Sequence, residues 1–223
     1  MSHYYEMTSS PAKKIISTAV IIIFTHSLIY AQIRLNFFAG PQITTVRYYV
    51  HNVKQAIDFK PGFIIGAGAK IEFENRLYFS PAIYYSYKGY KATFDQTASP
   101  PDLTAINNNT SIHTLETAFL LQYDFNKNPS HFFIKLGPSL DFQLAGREKF
   151  DRLDGTHVSR SMKFNFTSYG RYAASAIFHA GYEFRSFILS GYYEYGLTDL
   201  NNADDGPSIK YRVAGITIGK YFK

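Results

Sequence analysis

Eight stretches of this 223-residue chain place apolar side chains at every second position, and the connections between them alternate long and short. The two clearest stretches follow one another. Leu115, Thr117, Phe119, Leu121, Tyr123 and Phe125 alternate with Glu116, Ala118, Leu120, Gln122 and Asp124. Phe132, Ile134, Leu136, Leu140, Phe142 and Leu144 then alternate with Lys135, Gly137, Ser139, Asp141 and Gln143. Successive side chains leave a strand on opposite sides, so alternation of this length predicts strands with one apolar face. The same rule marks residues 33–47, 63–73, 77–91, 164–184 and 187–197 as strands. In the last stretch, 209–222, Lys210 and Arg212 oppose Tyr211 and Val213, yet Ile216 and Ile218 share the charged phase. A bulge is one reading, and the phase of this strand stays open.

The connections at 48–62, 92–109, 145–163 and 198–208 are long, whereas 74–76, 126–130 and 185–186 are tight turns. Hairpin parity agrees with antiparallel pairing. Across the two-residue turn Arg185-Ser186, Phe184 faces Phe187, so the apolar face must pass from even to odd numbers, and it does. The three-residue turn after Phe73 must keep parity, and it does. Six phenylalanines, Phe73, Phe79, Phe125, Phe132, Phe184 and Phe187, flank the short turns, while Tyr85, Tyr87, Tyr193 and Tyr195 lie toward the long connections. Two aromatic girdles bounding an apolar band are the pattern of a barrel wall in lipid. The opposite face carries Arg34, Lys70, Glu72, Glu116, Asp124, Lys135, Asp141, Arg171, Glu183 and Glu194. Alternation by itself also fits a soluble sandwich or barrel with its apolar face inward. The girdles and the turn lengths favour an all-β, eight-stranded antiparallel up-and-down transmembrane β-barrel, with long loops outside and tight turns and both termini in the periplasm.

The N-terminus supports export. Lys13 and Lys14 precede an apolar stretch from Ile15 to Leu28, and Tyr30-Ala31 precedes Gln32, so residues 1–31 read as a signal peptide and 32–223 as one barrel domain. Met1 and Met7 are alternative starts. Polar residues from Ser17 to Ser27 interrupt the apolar run, which is short for a transmembrane anchor. With no cysteine, a lipid anchor at the cleavage point, disulfides and thiolate chemistry are all excluded. The net charge of +6 comes from scattered Lys and Arg with no basic run, so no nucleic-acid partner is expected.

Several segments carry a family pattern. They are Ala31-Gln32, Leu115-Glu116-Thr117-Ala118-Phe119-Leu120-Leu121-Gln122-Tyr123, Phe133-Ile134-Lys135-Leu136-Gly137-Pro138-Ser139, Tyr193-Glu194-Tyr195-Gly196-Leu197-Thr198-Asp199-Leu200 and Gly219-Lys220-Tyr221-Phe222. With these the chain resembles the PorT-like outer-membrane β-barrel family of Bacteroidetes over its whole mature length. It departs at Ala118, where proline is frequent, and at Lys223, which follows the terminal aromatic. The resemblance implies an eight-stranded barrel in the bacterial outer membrane and, for some members, a link to protein secretion. It carries no catalytic residue.

Three functional classes remain to be weighed. A lipid-modifying enzyme needs a nucleophile, a base and an orienting carboxylate at the lipid boundary. His179 is the one mid-strand histidine on the polar face, opposite Tyr192 with Ser190 and Glu194 on its diagonals. That group faces the lumen, where a hydrogen-bond network is the simpler role. A solute pore is the second class, and charges on most strands argue for a filled lumen instead. Gly66-Ala67-Gly68-Ala69 lies within a strand, where small residues make room for bulky lumen side chains. Asp199, Asp204 and Asp205 lack calcium-loop spacing, and Asn108-Asn109-Thr110 carries no weight as a glycosylation motif in a bacterial barrel. The expectation is therefore a non-enzymatic structural or interaction protein with no catalytic, cofactor or metal residues. Its partners would be outer-membrane lipid and other cell-envelope or secretion proteins.

Overall fold

The computed structural model describes residues 33–96 and 98–222. The proposed signal segment lies outside the described residues. Among the described residues there are eleven strands: β1 (Ile33–Val50), β2 (Val53–Lys54), β3 (Ala56–Asp58), β4 (Lys60–Glu74), β5 (Leu77–Thr93), β6 (Asn107–Asp124), β7 (Ser130–Asp151), β8 (His157–Ser161), β9 (Tyr172–Phe184), β10 (Phe187–Gly196) and β11 (Ser208–Phe222). Eight of them form a closed antiparallel ring in the order β1-β4-β5-β6-β7-β9-β10-β11, and β11 returns to pair with β1 from Leu35↔Phe222 to Tyr49↔Ser208. Closure leaves no unpaired strand edge within the ring, which is what hydrocarbon demands of a β-structure. The three short strands are additions at the loop end.

The tight turns behave as parity requires. Phe184 pairs with Phe187 across Arg185-Ser186. Between β4 and β5 the turn is Asn75-Arg76, and a bulge between Glu72 and Glu74 supplies the extra residue that keeps the apolar face on odd numbers. Asn75 and Arg185 both take positive φ, 50° and 54°, as tight hairpins need.

The apolar face points outward. Phe37, Phe119, Leu121, Phe132, Leu136, Leu189 and Ile218 are all exposed, while Glu116, Gln122, Asp141 and Glu194 are buried inside the ring. From Phe37 to Arg47, a strand tilted about 40° and rising about 3.3 Å per residue climbs about 25 Å, the height of a barrel's apolar band.

Above that height the pattern on β5, β6 and β11 inverts without any change of parity. On β6 the outward Leu115, Phe119 and Leu121 give way to Asn107, Asn109 and Ser111, and the inward Glu116 and Gln122 give way to Ile112. On β5 the inward residues become Tyr90 and Ala92, with Lys91 and Thr93 outside. β11 does the same. Its register with β1 is unbroken in phase, Ile216 and Ile218 face outward in the band, and Lys210 and Arg212 face outward above it, opposite the buried Ile209, Tyr211 and Val213. There is no bulge in β11. Its mixed phase marks the level where the surroundings of the wall change from lipid to water.

The extension above the band corrects the loop boundaries. Residues 145–151 continue β7, residues 107–109 belong to β6, and β7 with β8 forms a hairpin, Arg147↔Ser161 to Asp151↔His157. A register shift between His113 and Thr114 of β6, opposite Gln143 and Ala145 of β7, lets β7 switch its buried residues from odd to even numbers. The stretch 164–171, expected to be strand, is a loop, and β9 begins at Tyr172. Arg171 therefore lies outside the lumen, near the rings of Phe142 and Phe164, and Glu72 is exposed at the turn end.

Candidate functional site

Inward residues of the ring build three levels. At the turn end, Lys70 Nζ bonds Asp124 Oδ2 at 2.5 Å and Glu183 Oε2 at 2.8 Å, and Arg34 bonds Glu183 Oε1 at 2.5 Å. His131 Nε2 lies 2.9 Å from Asp124, and Gln122 donates to Asp124 Oδ1 at 2.7 Å. Lys70 also rests over the Tyr78 ring, and Arg34 over Tyr221.

Midway, Lys88 is fully enclosed by carboxylates from three other strands: Glu116 at 2.8 Å, Asp141 at 3.0 Å and Glu194 at 2.7 Å. Thr114 donates to Glu116 and Ser175 to Glu194. β5, β6, β7 and β10 are thus joined across the lumen at one point. Glu116 Oε2 and Asp141 Oδ1 keep no hydrogen-bond partner among the described residues.

At the loop end the lumen is closed by aromatic and aliphatic packing. Tyr48, Tyr90, Tyr169, Ile112, Phe150, Leu200 and Ile209 are all buried. Tyr48 donates to the carbonyl of Pro100, and Tyr169 donates to Glu148 Oε2 at 2.8 Å, whose other oxygen accepts from Arg160 at 2.6 Å. Burial, reinforced by neighbouring Tyr90 and Glu148, pushes the Tyr169 hydroxyl well above its ordinary range and keeps it a donor. Pro100, Tyr169 and Leu200 come from three different loops, and Gly170 donates to Leu200 O at 2.6 Å.

Between the two ionic levels lies a cavity of about 40 Å³, lined in part by Lys135, His179, Ser190, Tyr192 and Thr217. That is room for no more than a few water molecules. The expected register holds: His179 faces Tyr192, and their rings stack 5.3 Å apart. His179 Nδ1 lies 3.5 Å from Ser190 Oγ, and Ser190 shares a 2.8 Å bond with Thr217. Glu194 is engaged by Lys88 and Ser175, so Ser190, His179 and Glu194 do not assemble as a catalytic relay. Gly66 would bring a Cβ within 2.2 Å of Tyr84 Cβ, which explains the glycine at this position of β4. Asp199 accepts the N–H groups of Ile209 and Asn201 as a turn cap.

Two donor sets of metal-ligand type exist among the described residues, Asp124 with His131 and Glu183, and Glu116 with Asp141 and Glu194. In each, a lysine ammonium already stands where a cation would bind. Lys88 and His131, the hub of one set and a member of the other, are not conspicuous in the sequence. Lys88 reads there as one more inward residue, and His131 sits one residue past a turn. Outside the ring, the loop-end wall presents an open cleft of about 510 Å³ lined by Asp58, Lys91, Asn107, Asn109, Lys149 and Ser159.

Among solved structures, the chain is similar to Ail, the attachment invasion locus protein of Yersinia pestis, in complex with the heparin analogue sucrose octasulfate. The two are 15% identical, with 85% of this chain and 99% of that chain covered, at a TM-score of 0.44. The outer membrane protein OprG from Pseudomonas aeruginosa is 12% identical, covering 84% and 95% at a TM-score of 0.44. Neisserial surface protein A is 13% identical, covering 83% and 97% at 0.41. No curated protein matches the sequence. The profile described as outer membrane protein beta-barrel domain matches residues 26–202. A closed eight-stranded ring, an apolar belt turned outward and that match over most of the chain agree: the protein is a β-barrel of the bacterial outer membrane and belongs to the outer membrane protein beta-barrel domain family.

Proposed function

We propose that this barrel is a non-enzymatic scaffold, exported by its 1–31 segment, whose partners dock on the wall and loops above the membrane. The observation that carries this reading is the sealed lumen. Two ionic levels and an aromatic cap cross it, the cavity between them measures only about 40 Å³, and the fully buried Lys88 hub stands in the path a solute would take. A lipid-modifying role lacks its machinery, since His179 and Ser190 face the lumen without a free carboxylate. By contrast, β6, β7 and β8 extend well above the apolar band, and β8 presents a strand edge open to a partner. The PorT-like character of the sequence makes proteins of a secretion machinery the favoured partners.

The test has three readouts. Planar bilayers should show no steady conductance. His179→Ala should leave the lipid composition of the envelope unchanged. Replacing the exposed Arg147, Lys149 and Ser159 of the β7–β8 hairpin by alanine should spare folding, read by faster gel migration when unheated, but weaken co-purification of secretion components. Steady openings, or a lipid product lost in a folded His179→Ala protein, would refute the scaffold.

A further inference from the structure

We propose that the outer face of the β1–β11 seam binds the phosphate groups of an anionic lipid headgroup in the outer leaflet, through Arg47, Lys210, Arg212 and Lys54. The seam is where strand one meets the last strand. Arg47 stands directly opposite Lys210, and Thr45 opposite Arg212, so three cations share one patch of wall. On the other side of β1, Lys54 pairs with Tyr49 and joins the same face. Like charges facing each other across a strand pair are unfavourable unless an anion lies between them. Among the described residues, none of the four makes a salt bridge.

The arginines are prepared for a ligand. Arg212 lies 3.5 Å over the Tyr195 ring, and its Nη1 donates to the carbonyls of Gly196 at 3.1 Å and Tyr211 at 2.6 Å. The rest of its planar fork is uncommitted among the described residues, and such forks match phosphate oxygens. Arg47 lies over the Tyr49 ring at 5.0 Å and bonds its hydroxyl at 3.3 Å. Beside them runs an open cleft of about 560 Å³ lined by Thr45, Arg47, Lys54, Ile57, Tyr193 and Arg212.

Height identifies the occupant. Below the patch, the outward residues of β11 are Ala214, Ile216 and Ile218, and those of β1 are Ile43, Pro41 and Ala39. The cations therefore begin where the apolar band ends, beside the interfacial Tyr193 and Tyr195. A group reaching this face from the membrane side is a headgroup, and its acyl chains lie along the band below.

The full-length protein, folded in detergent, is to be titrated in native mass spectrometry with diphosphoryl lipid A and with the same lipid stripped of its phosphates. Wild type should bind the phosphorylated lipid at least about tenfold more tightly, each cation near an anionic surface contributing roughly fivefold. The triple variant Arg47→Gln, Lys210→Gln, Arg212→Gln should lose that preference, with gel mobility confirming its fold. Lys91→Gln with Lys149→Gln, which removes outward cations of the far wall, should retain it. Equal binding of the two lipids by wild type, or a preference that survives the triple variant, would overturn the proposal. So would full competition by millimolar inorganic phosphate, which would mean a free-anion site. If the triple variant does not fold, Arg212→Gln alone must reduce the preference, and the wild-type comparison stands by itself.

Discussion

Replacing Lys88 by methionine tests whether the mid-lumen hub holds the barrel together. The substitution keeps an unbranched side chain of similar length and removes one charge. In the wild-type protein the ammonium lies 2.7–3.0 Å from three carboxylates. At an effective dielectric of about 20, each such contact is worth about 6 kcal/mol before desolvation, and each carboxylate pair, at spacings up to 4.8 Å, repels by at least about 3 kcal/mol. Without Lys88 only the repulsion and the desolvation remain. Removing one partner of a buried ionic group typically costs about 3–5 kcal/mol after relaxation, and this hub belongs at the upper end of that range.

The assay is urea unfolding in phosphatidylcholine vesicles, followed by the gel shift between folded and boiled protein, because the chain has no tryptophan to report by fluorescence. Lys135→Met is the control. Its ammonium also faces the lumen, but it contacts Ser80 at 3.2 Å and forms no salt bridge among the described residues. Removing an unpaired lumen charge should be neutral or stabilising. Adding Glu116→Gln to Lys88→Met should recover part of the loss, a coupling that a cycle of single and double variants measures. A cost for Lys88→Met below about 1 kcal/mol, or equal to that of Lys135→Met, would refute the assignment of the hub.

Leu121→Arg should destabilise the barrel by about 2–4 kcal/mol in the same assay, because the side chain is 52% exposed on the lipid face near mid-band. Asp102 accepts the Thr104 N–H and hydroxyl and pairs with Arg152 at 2.9 Å; chiefly the Thr104 hydrogen bonds bring its carboxyl down to about 2 from 3.8. A depressed carboxylate contributes stability above its unfolded value and loses it as pH falls through its folded value. Pepsin cleavage at the exposed Leu103 should therefore rise from about pH 4 to about pH 2, and Asp102→Asn should be cleaved readily across that whole range. Gly66→Val should block folding outright, because any Cβ there meets the Tyr84 Cβ at 2.2 Å; folding of that variant with normal gel mobility would contradict the packing of β4 on β5.

The ring and its faces were legible because lipid imposes a strict rule on every second residue. Leu115 to Asp124 announces its own face, and the tight turns announce the pairing, down to Phe184 opposite Phe187 and His179 opposite Tyr192. The lumen network was legible only as a set of inward charges. Parity says that Lys88, Glu116, Asp141 and Glu194 face inward. It does not say that they stand at one height, which depends on strand tilt and stagger around the ring. His131 was missed for a related reason. A residue beside a turn has too few alternating neighbours to declare a face, yet it lies within reach of Asp124 and Glu183.

The upper ends of β6 and β11 resisted reading for one physical cause. A strand that leaves the membrane keeps its geometry while its surroundings change, so polarity changes sides and parity does not. On β11 the inversion falls at Ala214, on β5 after Lys88, and on β6 between Leu115 and Ser111. Read with a single rule, β11 looks out of phase, and the extensions of β6 and β7 look like polar loops. Read with two rules joined at one height, β11 and β6 become regular strands, β7 continues beside them through its register shift at Gln143 and Ala145, and the hinge between the rules traces the outer edge of the hydrocarbon around the barrel. Arg47, Lys210 and Arg212 stand on that edge with no carboxylate facing them. Their charge makes physical sense only against something the membrane itself supplies.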